Sequence, residues 1–255
     1  MHDEGVATTE RTILALPSVG PDPLTLDRAR DAVVGYARGM RWLRFRSPGI
    51  PEGRWAQVPA FGWSRFDARP VGENLDADVL IGEGLHGRLD PAGWHAVHDA
   101  LAALAPRVEA LAARADGRPF WELPDEELSV LGEPGTVGAL LRGIGEDAGS
   151  HAPHVLAALH HRRPDLVPHL TRTTRRTLLP HLEEGDSGVE AVVHRELRVN
   201  DVGFAALESA VAAELSGTAP TRLRLHDVLL WLATTLRFAH AEDEGRRLRS
   251  SRSSG

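Results

Sequence analysis

Apolar residues recur every three or four positions along most of this 255-residue chain. Between residues 25 and 45 they follow one face of an amphipathic helix, at Leu26, Ala29, Val33, Tyr36, Ala37, Met40 and Leu43. Residues 225–241 would be apolar on nearly every side of a helix, which predicts that this helix is central and buried. The pattern therefore predicts a protein built mainly from helices.

Polar residues at the expected helix ends support this interpretation. Asp90 stands directly before a proline, a combination typical of an N-cap and the first helical residue, so a helix is predicted from there to about Arg114. Ser187 together with Glu190 fits a capping box at the start of a later helix. We predict an all-α fold: a single helical domain of about ten helices.

Three segments depart from the helical pattern. Residues 47–74 are rich in proline, glycine and aromatic residues and are predicted to be a loop, the one region where short strands are expected. Four aromatic side chains should pack this loop onto the helices: Trp55, Phe61, Trp63 and Phe66. Residues 1–22 are predicted to be a flexible N-terminal arm and residues 243–255 a disordered basic tail, which leaves residues 23–242 as the all-α domain.

The composition excludes several kinds of chemistry. The chain has no cysteine, which excludes disulfides, thiolate nucleophiles and cysteine-ligated zinc. All 29 basic residues are arginine, so a Schiff-base lysine, a pyridoxal-phosphate anchor and a Walker-type lysine are excluded as well. We expect no cofactor. The N-terminal residues do not resemble a signal peptide and no long apolar run occurs, so we expect a cytoplasmic protein without membrane contact.

Charge is unevenly distributed along the chain. The net charge of −7 opposes nonspecific binding of nucleic acid by the whole surface. However, residues 28–54 contain seven arginines against two acidic residues, and residues 141–181 contain six against three. If these two segments share one face they form a positive groove; otherwise they are solvated helix surfaces.

The segment 141–181 holds the candidate nucleic-acid contacts. Gly143 and Gly145 are predicted to form a turn whose backbone N–H groups can approach a phosphate, although Glu146 and Asp147 would repel it. The alternative is a glycine-rich connector between two packed helices. Five arginines further along could bind phosphates or could form an ordinary polar helix face: Arg162, Arg163, Arg172, Arg175 and Arg176.

Candidate catalytic residues are fewer. Asp227 precedes a strongly apolar stretch and could be a buried acid–base group; alternatively, it caps that helix. Together with His226, His169 and Trp231 it could line a pocket between helices for a small molecule. These histidines and this carboxylate are the types of group that general acid–base catalysis uses.

A metal site is a further alternative that the sequence does not favour. His95 and His98 are three residues apart on a predicted helix, as a chelating pair can be, and Asp99 follows directly. His-Asp dipeptides of this kind occur in metal-dependent phosphohydrolases built from helices. With thirteen histidines in the chain, however, such pairs are expected by chance.

Three segments together resemble an actinobacterial family classed as a domain of unknown function: ENLDADVLIGEGLHGRL (73–89), VLAALHHRRPDLVPHLTR (155–172) and RLRLHDVLLWL (222–232). Such proteins are similar in outline to the helix-hairpin-helix DNA glycosylase fold, in which a basic-proline segment precedes an aspartate on the next helix. The resemblance implies an all-α fold and contact with nucleic acid. Arg162-Arg163-Pro164 matches the basic-proline segment, but Thr171 stands where the aspartate is expected. Without that carboxylate, and without a lysine for a lyase reaction, glycosylase activity is not expected.

Taken together, these features predict a nucleic-acid-associated or regulatory binding module on a glycosylase-like helical scaffold. The alternatives are an enzyme that acts on a small molecule in a pocket between helices and, less favoured, a metal-dependent phosphohydrolase.

Overall fold

The computed structural model describes residues 13–43, 54–57, 62–129, 131–215 and 220–253. Within these ranges the chain forms ten α-helices, which confirms the all-α prediction. They are α1 (Leu26–Arg38), α2 (Leu75–His86), α3 (Pro91–Ala115), α4 (Val137–Ala148), α5 (Ala152–Arg162), α6 (Arg172–Leu178), α7 (Val189–Val199), α8 (Asp201–Glu214), α9 (Arg222–Thr234) and α10 (Phe238–Ser253). No helix in the described part of the chain is both long and apolar enough to cross a membrane.

Short elements join and flank these helices. Strand β1 (Ile13–Leu14) pairs antiparallel with β2 (Leu24–Thr25), and β3 (Met40–Leu43) pairs antiparallel with β4 (Arg54–Gln57). A π-helix spans Trp63–Asp67. Residues 47–53 and 58–61 of the predicted loop lie outside the described residues, as do the side chains of Trp55 and Phe61, whereas Trp63 and Phe66 are buried as predicted.

Side-chain caps explain where several helices begin. As predicted, Asp90 is the N-cap of α3, and its carboxylate accepts a hydrogen bond from the backbone N–H of Gly93 at 2.7 Å. Thr136 caps α4 and Thr171 caps α6 in the same way. The predicted capping box before α7 is wrong, because Gly188 occupies the N-cap and no side chain caps that helix end.

The helices pack in two groups around one large core, beside which Phe66, Ile81 and Ala157 form a smaller cluster. Helices α2 to α5 contact mainly one another, and α1 packs with α8, α9 and α10. Helix α9 is central as predicted, since it contacts α1, α6, α7, α8 and α10 and six of its leucines and valines are almost completely buried: Leu223, Leu225, Val228, Leu229, Leu230 and Leu232. The π-helix contacts both α1 and α2, so it lies where the two groups meet.

The C-terminal segment is helical rather than disordered. Helix α10 continues to Ser253, so the predicted tail begins inside a packed helix, and only residues 254–255 lie outside the described residues. Glycines let α1 and α10 touch through their backbones: a Cβ on Gly245 would lie 1.9 Å from the carbonyl oxygen of Asp31. Buried Asp31 also accepts a hydrogen bond from Arg249 at 2.7 Å. The sequence did not indicate this contact, because it is formed by a glycine and not by an apolar side chain.

The predicted N-terminal arm is also packed where the structure describes it. Leu14 and Leu16 are buried in the core. The backbone of Ala15 exchanges hydrogen bonds of 2.6 and 2.8 Å with the side-chain amide of Asn200, and Ser18 donates two to Glu196. The prediction of a flexible arm is therefore wrong for residues 13–22, and residues 1–12 lie outside the described residues.

The close approach of α1 and α10 can be tested by replacing Gly245 with alanine. Gly245→Ala should lower the free energy of unfolding by about 1–3 kcal/mol, because the added methyl group overlaps the backbone of α1. Gly145→Ala is the matched control: Gly145 is exposed inside α4 with open space around its Cβ position, so alanine should stabilise by about 0.5–1 kcal/mol. Urea unfolding measures both, and a Gly245→Ala protein as stable as the wild type would contradict the described packing.

Candidate functional site

A buried arginine lies at the junction of the two helix groups. The side chain of Arg224, on α9, is only 8% exposed. Its Nε donates to Oδ1 of Asp67 at 2.6 Å and its Nη2 to Oδ2 at 3.1 Å, while Nη1 donates to Asp227 one turn along the same helix. Two carboxylates therefore hold one buried guanidinium. This pairing offsets the cost of removing the arginine's charge from water.

Tyr36 completes this arrangement from α1. Its hydroxyl donates to Oδ2 of Asp67 at 2.9 Å and accepts from Nη2 of Arg224 at 3.1 Å. Burial, followed by the neighbouring Asp67 charge, raises the pKa of Tyr36 well above its usual range, so the hydroxyl keeps its proton. The aromatic ring of Phe66 lies under the guanidinium of Arg224, with 5.1 Å between its centroid and Cζ.

Through buried His169, this arrangement reaches the half-buried His86. Nδ1 of His169 lies 3.0 Å from Oδ2 of Asp227, and Nε2 of His169 lies 3.1 Å from Nε2 of His86. We call the residues Tyr36, Asp67, His169, Arg224 and Asp227 the Arg224 cluster; His86 connects it towards the surface. His169 and Asp227, two of the candidates for the predicted small-molecule pocket, are therefore in contact.

Opposing effects determine the protonation of Asp227 and His86, which His169 connects. Burial alone would raise the pKa of Asp227, but His169 and Arg224 outweigh it and lower that pKa to about 2, so the carboxylate is charged. Burial, with His169 and His154 nearby, lowers the pKa of His86 to about 3, so this imidazole is neutral. Oδ1 of Asp227 is buried and has no hydrogen-bond partner among the described residues, which leaves it able to accept one more.

The remaining residues of the predicted small-molecule pocket lie apart from this contact or at its edge. His226 faces a different partner, because its Nε2 lies 2.6 Å from Oε2 of Glu196 in a second buried pair. Trp231 is half-buried, with its ring 6.0 Å from that of Tyr36. The alternative role for Asp227 as a helix cap is wrong, because α9 begins at Arg222 after the N-cap Thr221.

The candidate metal ligands do not converge. Nδ1 of His95 donates to the carbonyl oxygen of Pro91 at 2.6 Å, and His98 lies 3.4 Å from Asp99 on the outer side of α3. Across the described ranges, no group of three or more histidine, aspartate or glutamate side chains is arranged to hold a metal ion.

The predicted glycine turn is wrong. Gly143 and Gly145 both lie inside α4, which continues from Val137 to Ala148, so their backbone N–H groups belong to a regular helix and are not presented to a ligand. The side chain of Arg107 fills the space beside Gly143, where a Cβ would lie 1.9 Å from its Nη1. The glycine is there to admit a neighbouring side chain.

Three of the five predicted phosphate-binding arginines have carboxylate partners. Arg162 pairs with buried Asp78, Arg163 with Glu109 at 3.0 and 3.1 Å, and Arg175 with Glu190 at 2.6 Å. Arg172 and Arg176 are exposed on α6, and within the described part of the chain neither forms an ion pair.

Two cavities are lined mainly by arginines and small residues. The arginine groove, of about 700 Å³, is lined by Ala112, Gly117, Arg118, Pro119, Trp121, Arg162, Arg163, Pro164, Asp165, Leu166, Glu208 and Arg222. The π-helix pocket, of about 300 Å³, is lined by Ser64, Arg65, Arg69, Leu80, Glu83, Gly84 and Arg88. Neither is lined by His169 or Asp227.

The sequence interpretation missed Arg224, Asp67, Tyr36 and His86. One signal could have found the first: Arg224 and Asp227 stand three residues apart within a helix that is otherwise almost entirely apolar. An opposite-charge pair at this spacing on a buried helix indicates an internal ion pair. The other three come from distant parts of the chain, and nothing local marks them.

Buried His160 should make the free energy of unfolding depend on pH. Burial, followed by the influence of His169, lowers the pKa of His160 to about 3, against about 6.5 in an unfolded chain. Because the folded pKa is the lower one, the stabilisation is complete above about pH 6.5 and is lost as the pH falls towards 3. His160→Asn keeps a donor for the carbonyl of Val167, and should make the fall in unfolding free energy between about pH 6 and 4 shallower by about 1.4 kcal/mol per pH unit.

Urea unfolding at a series of pH values measures this slope. A loss of packing in His160→Asn would lower the free energy of unfolding equally at every pH, so the slope separates titration from packing. An unchanged slope would contradict a neutral, buried His160.

Comparisons with protein-family models, curated proteins and solved structures found no significant match to this chain. The resemblance to the helix-hairpin-helix glycosylase fold therefore stays a prediction.

Proposed function

We propose that this protein is a nucleic-acid-associated binding module and that the arginine groove contacts the phosphates. The observation that carries the proposal is the concave surface itself, which brings Arg162 and Arg163 of the basic-proline segment together with Arg118 and Arg222. Four arginines line it against two acidic residues, Asp165 and Glu208. Phosphate groups are the ligands that clustered guanidinium groups bind most readily.

Arg163 is suited to exchange its partner for a phosphate. Its carboxylate partner Glu109 is 65% exposed, and such exposed ion pairs contribute little stability. Nη2 of Arg163 donates to both carboxylate oxygens of Glu109, at 3.0 and 3.1 Å. A phosphate could accept from the same Nη2 in place of this weakly held glutamate.

Arg118 supplies a second available charge. The chain leaves α3 through Asp116 and Gly117, both with positive φ, and this turn brings Arg118 to the groove. The guanidinium donates to the carbonyl oxygens of Ala115 and Arg114, at 3.0 and 3.4 Å, which orient it without neutralising its charge. Across the described ranges Arg118 has no carboxylate partner.

The other two arginines form the walls of the groove. Arg222 lies over the indole ring of Trp121 at 4.9 Å and pairs with Glu208 at 2.9 Å. Arg162 pairs with Asp78 on α2. These pairs are part of the packing, so we assign the exchange of partners to Arg118 and Arg163.

The proposed scaffold is the glycosylase-like one that the sequence resembles, without glycosylase activity. Oγ1 of Thr171 accepts a hydrogen bond from the N–H of Thr174 at 3.1 Å and caps α6. A structural cap thus stands where the resemblance would require a carboxylate to stabilise a sugar cation. Binding, rather than base excision, is the function we propose.

Binding of a short single-stranded DNA and of its duplex, followed by fluorescence anisotropy, tests the proposal. Wild-type affinity should fall steeply between about 50 and 200 mM salt. Arg118→Ala/Arg163→Ala should weaken binding and reduce the slope of log affinity against log salt by about 1.5, as expected for two lost phosphate contacts. Arg69→Ala/Arg88→Ala removes the same charge from the other cavity and should bind like the wild type. If neither nucleic acid binds at about 50 mM salt, the proposal is wrong.

A second candidate function, an enzyme that acts on a small molecule, is favoured by the chain of Asp227, His169 and His86. When both imidazoles are neutral, Asp227 can only accept, so Nδ1 of His169 donates to it and Nε2 of His169 accepts from Nε2 of His86. Nδ1 of His86 then carries a lone pair, and no described residue hydrogen-bonds it.

Such a chain could remove a proton from a hydroxyl group or a water molecule. A proton accepted at Nδ1 of His86 would be balanced by transfer of its Nε2 proton to Nε2 of His169. The resulting imidazolium would lie beside the charged Asp227, which compensates it. His86 would end neutral, so its low pKa does not prevent this relay.

Nitrogen-15 NMR of the histidine rings tests this relay directly. Near pH 8 we expect a protonated Nδ1 in His169 and a protonated Nε2 in His86. Asp227→Asn should change the His169 signals, while His95→Gln, on the outer side of α3, should leave them unchanged. An unprotonated Nδ1 in wild-type His169 would contradict the relay.

A further inference from the structure

The π-helix pocket is lined by an excess of positive charge. It lies between the π-helix and α2 and is lined by Arg65 and Arg69 on one side and by Leu80, Glu83 and Arg88 on the other. Three arginines therefore line a cavity of about 300 Å³ with a single carboxylate. A cavity of this size lies at the lower end of the range for small-molecule sites.

The one carboxylate is already engaged. Oε1 of Glu83 accepts a hydrogen bond from the backbone N–H of Leu89 at 2.8 Å. This bond ties Glu83 to the connection between α2 and α3 and compensates part of its charge locally. The pocket therefore keeps a net positive potential even with Glu83 ionised.

Arg69 and Arg88 differ from most arginines of this acidic protein. The majority of the described arginines have a carboxylate oxygen within 4 Å, from Arg28 near one end of the fold to Arg249 near the other. Arg69 and Arg88 form no such ion pair within the described ranges, although acidic residues outnumber basic ones by 36 to 29 in the whole chain. That two unpaired guanidinium groups line one cavity indicates that the cavity is suited to an anion from outside the protein.

The backbone that carries these arginines is held rigidly. Asp67 and Phe66, on the inner side of the π-helix, are fixed by the Arg224 cluster. Nε2 of His161 donates to the carbonyl oxygen of Arg69 at 3.1 Å. π-Helical turns are frequent at functional sites, and a site built on fixed backbone loses less entropy when a ligand binds.

Two glycines in and beyond α2 shape the opposite wall. A Cβ on Gly84 would lie 2.3 Å from the carbonyl oxygen of Arg65, so only glycine lets α2 approach the π-helix this closely. Gly87, with φ of 94°, ends α2 and turns the chain so that Arg88 lines the pocket. Nε2 of His154 donates to the carbonyl oxygen of Gly87 at 3.0 Å and fixes this turn.

We propose that the π-helix pocket binds a small anion that carries a phosphate group, held by Arg69 and Arg88. Guanidinium groups match the geometry and charge of a phosphate, and both arginines line this cavity. The volume of about 300 Å³ suits inorganic phosphate or a small phosphomonoester. This site is separate from the arginine groove and does not depend on the function proposed for that groove.

Isothermal titration calorimetry of the full chain with inorganic phosphate and, separately, with glycerol phosphate tests this proposal. We expect saturable binding at one site per chain, and tighter binding of glycerol phosphate would identify a phosphomonoester as the ligand. Arg69→Ala/Arg88→Ala should weaken binding at least about tenfold. Glu83→Gln keeps an acceptor for Leu89 and removes the pocket's negative charge, so it should bind phosphate more tightly than the wild type.

A control variant and a test of folding make the outcome decisive. Arg118→Ala/Arg163→Ala changes the net charge by the same amount in the arginine groove and should bind phosphate like the wild type. This reciprocal pair of variants separates the two proposals, because loss of nucleic-acid binding and loss of phosphate binding should each follow one pair alone. Absence of saturable phosphate binding at millimolar concentrations, or equal weakening by both pairs, would overturn the proposal. Far-ultraviolet circular dichroism confirms that each variant is folded.

Discussion

The buried guanidinium of Arg224 is the interaction that relates the two helix groups to each other. Removing such a cation from water costs several kcal/mol, which is offset only when carboxylates meet it in good geometry. Asp67 comes from the π-helix, Asp227 from α9 and the Tyr36 hydroxyl from α1. The charge is therefore satisfied only when all three elements are in register, and loss of one partner would cost about 3–5 kcal/mol.

The same ion pairs determine what the π-helix presents on its outer side. Within five residues, Trp63, Phe66 and the side chain of Asp67 point into the protein, whereas Ser64 and Arg65 line the outer pocket. The inner contacts fix the backbone, and the outer side chains inherit that rigidity. A buried network that stabilises the fold thus also prepares a surface for binding.

Histidine rings supply hydrogen-bond donors at this junction. His160 donates to the carbonyl of Val167, His161 to that of Arg69 and His154 to that of Gly87. Each carbonyl belongs to a connection between elements and would otherwise lack a helical partner. Burial lowers the pKa of His160 and His161, so these rings remain neutral beside the Arg224 cluster.

Features that depend on local spacing could be predicted from the sequence. Helical periodicity identified the all-α fold and the central position of α9, and the Asp90-Pro91 pair marked the start of α3. The apolar surroundings of Asp227 indicated a buried acid as one of two alternatives, the other being a helix cap. Tertiary structure alone decided which charges meet. Arg162, Arg163 and Arg175 have the same local character as Arg118, Arg69 and Arg88, yet only the first three meet carboxylates.

The structural role of individual glycines could not be predicted from the sequence either. Gly143 and Gly145 suggested a phosphate-binding turn but lie inside α4, while Gly84 and Gly245 admit the backbone of a distant element. A missing Cβ permits either a turn or a close approach, and the choice depends on a neighbour far away in the chain. Local periodicity decided the helices, and the distant partners of arginines and glycines decided the sites.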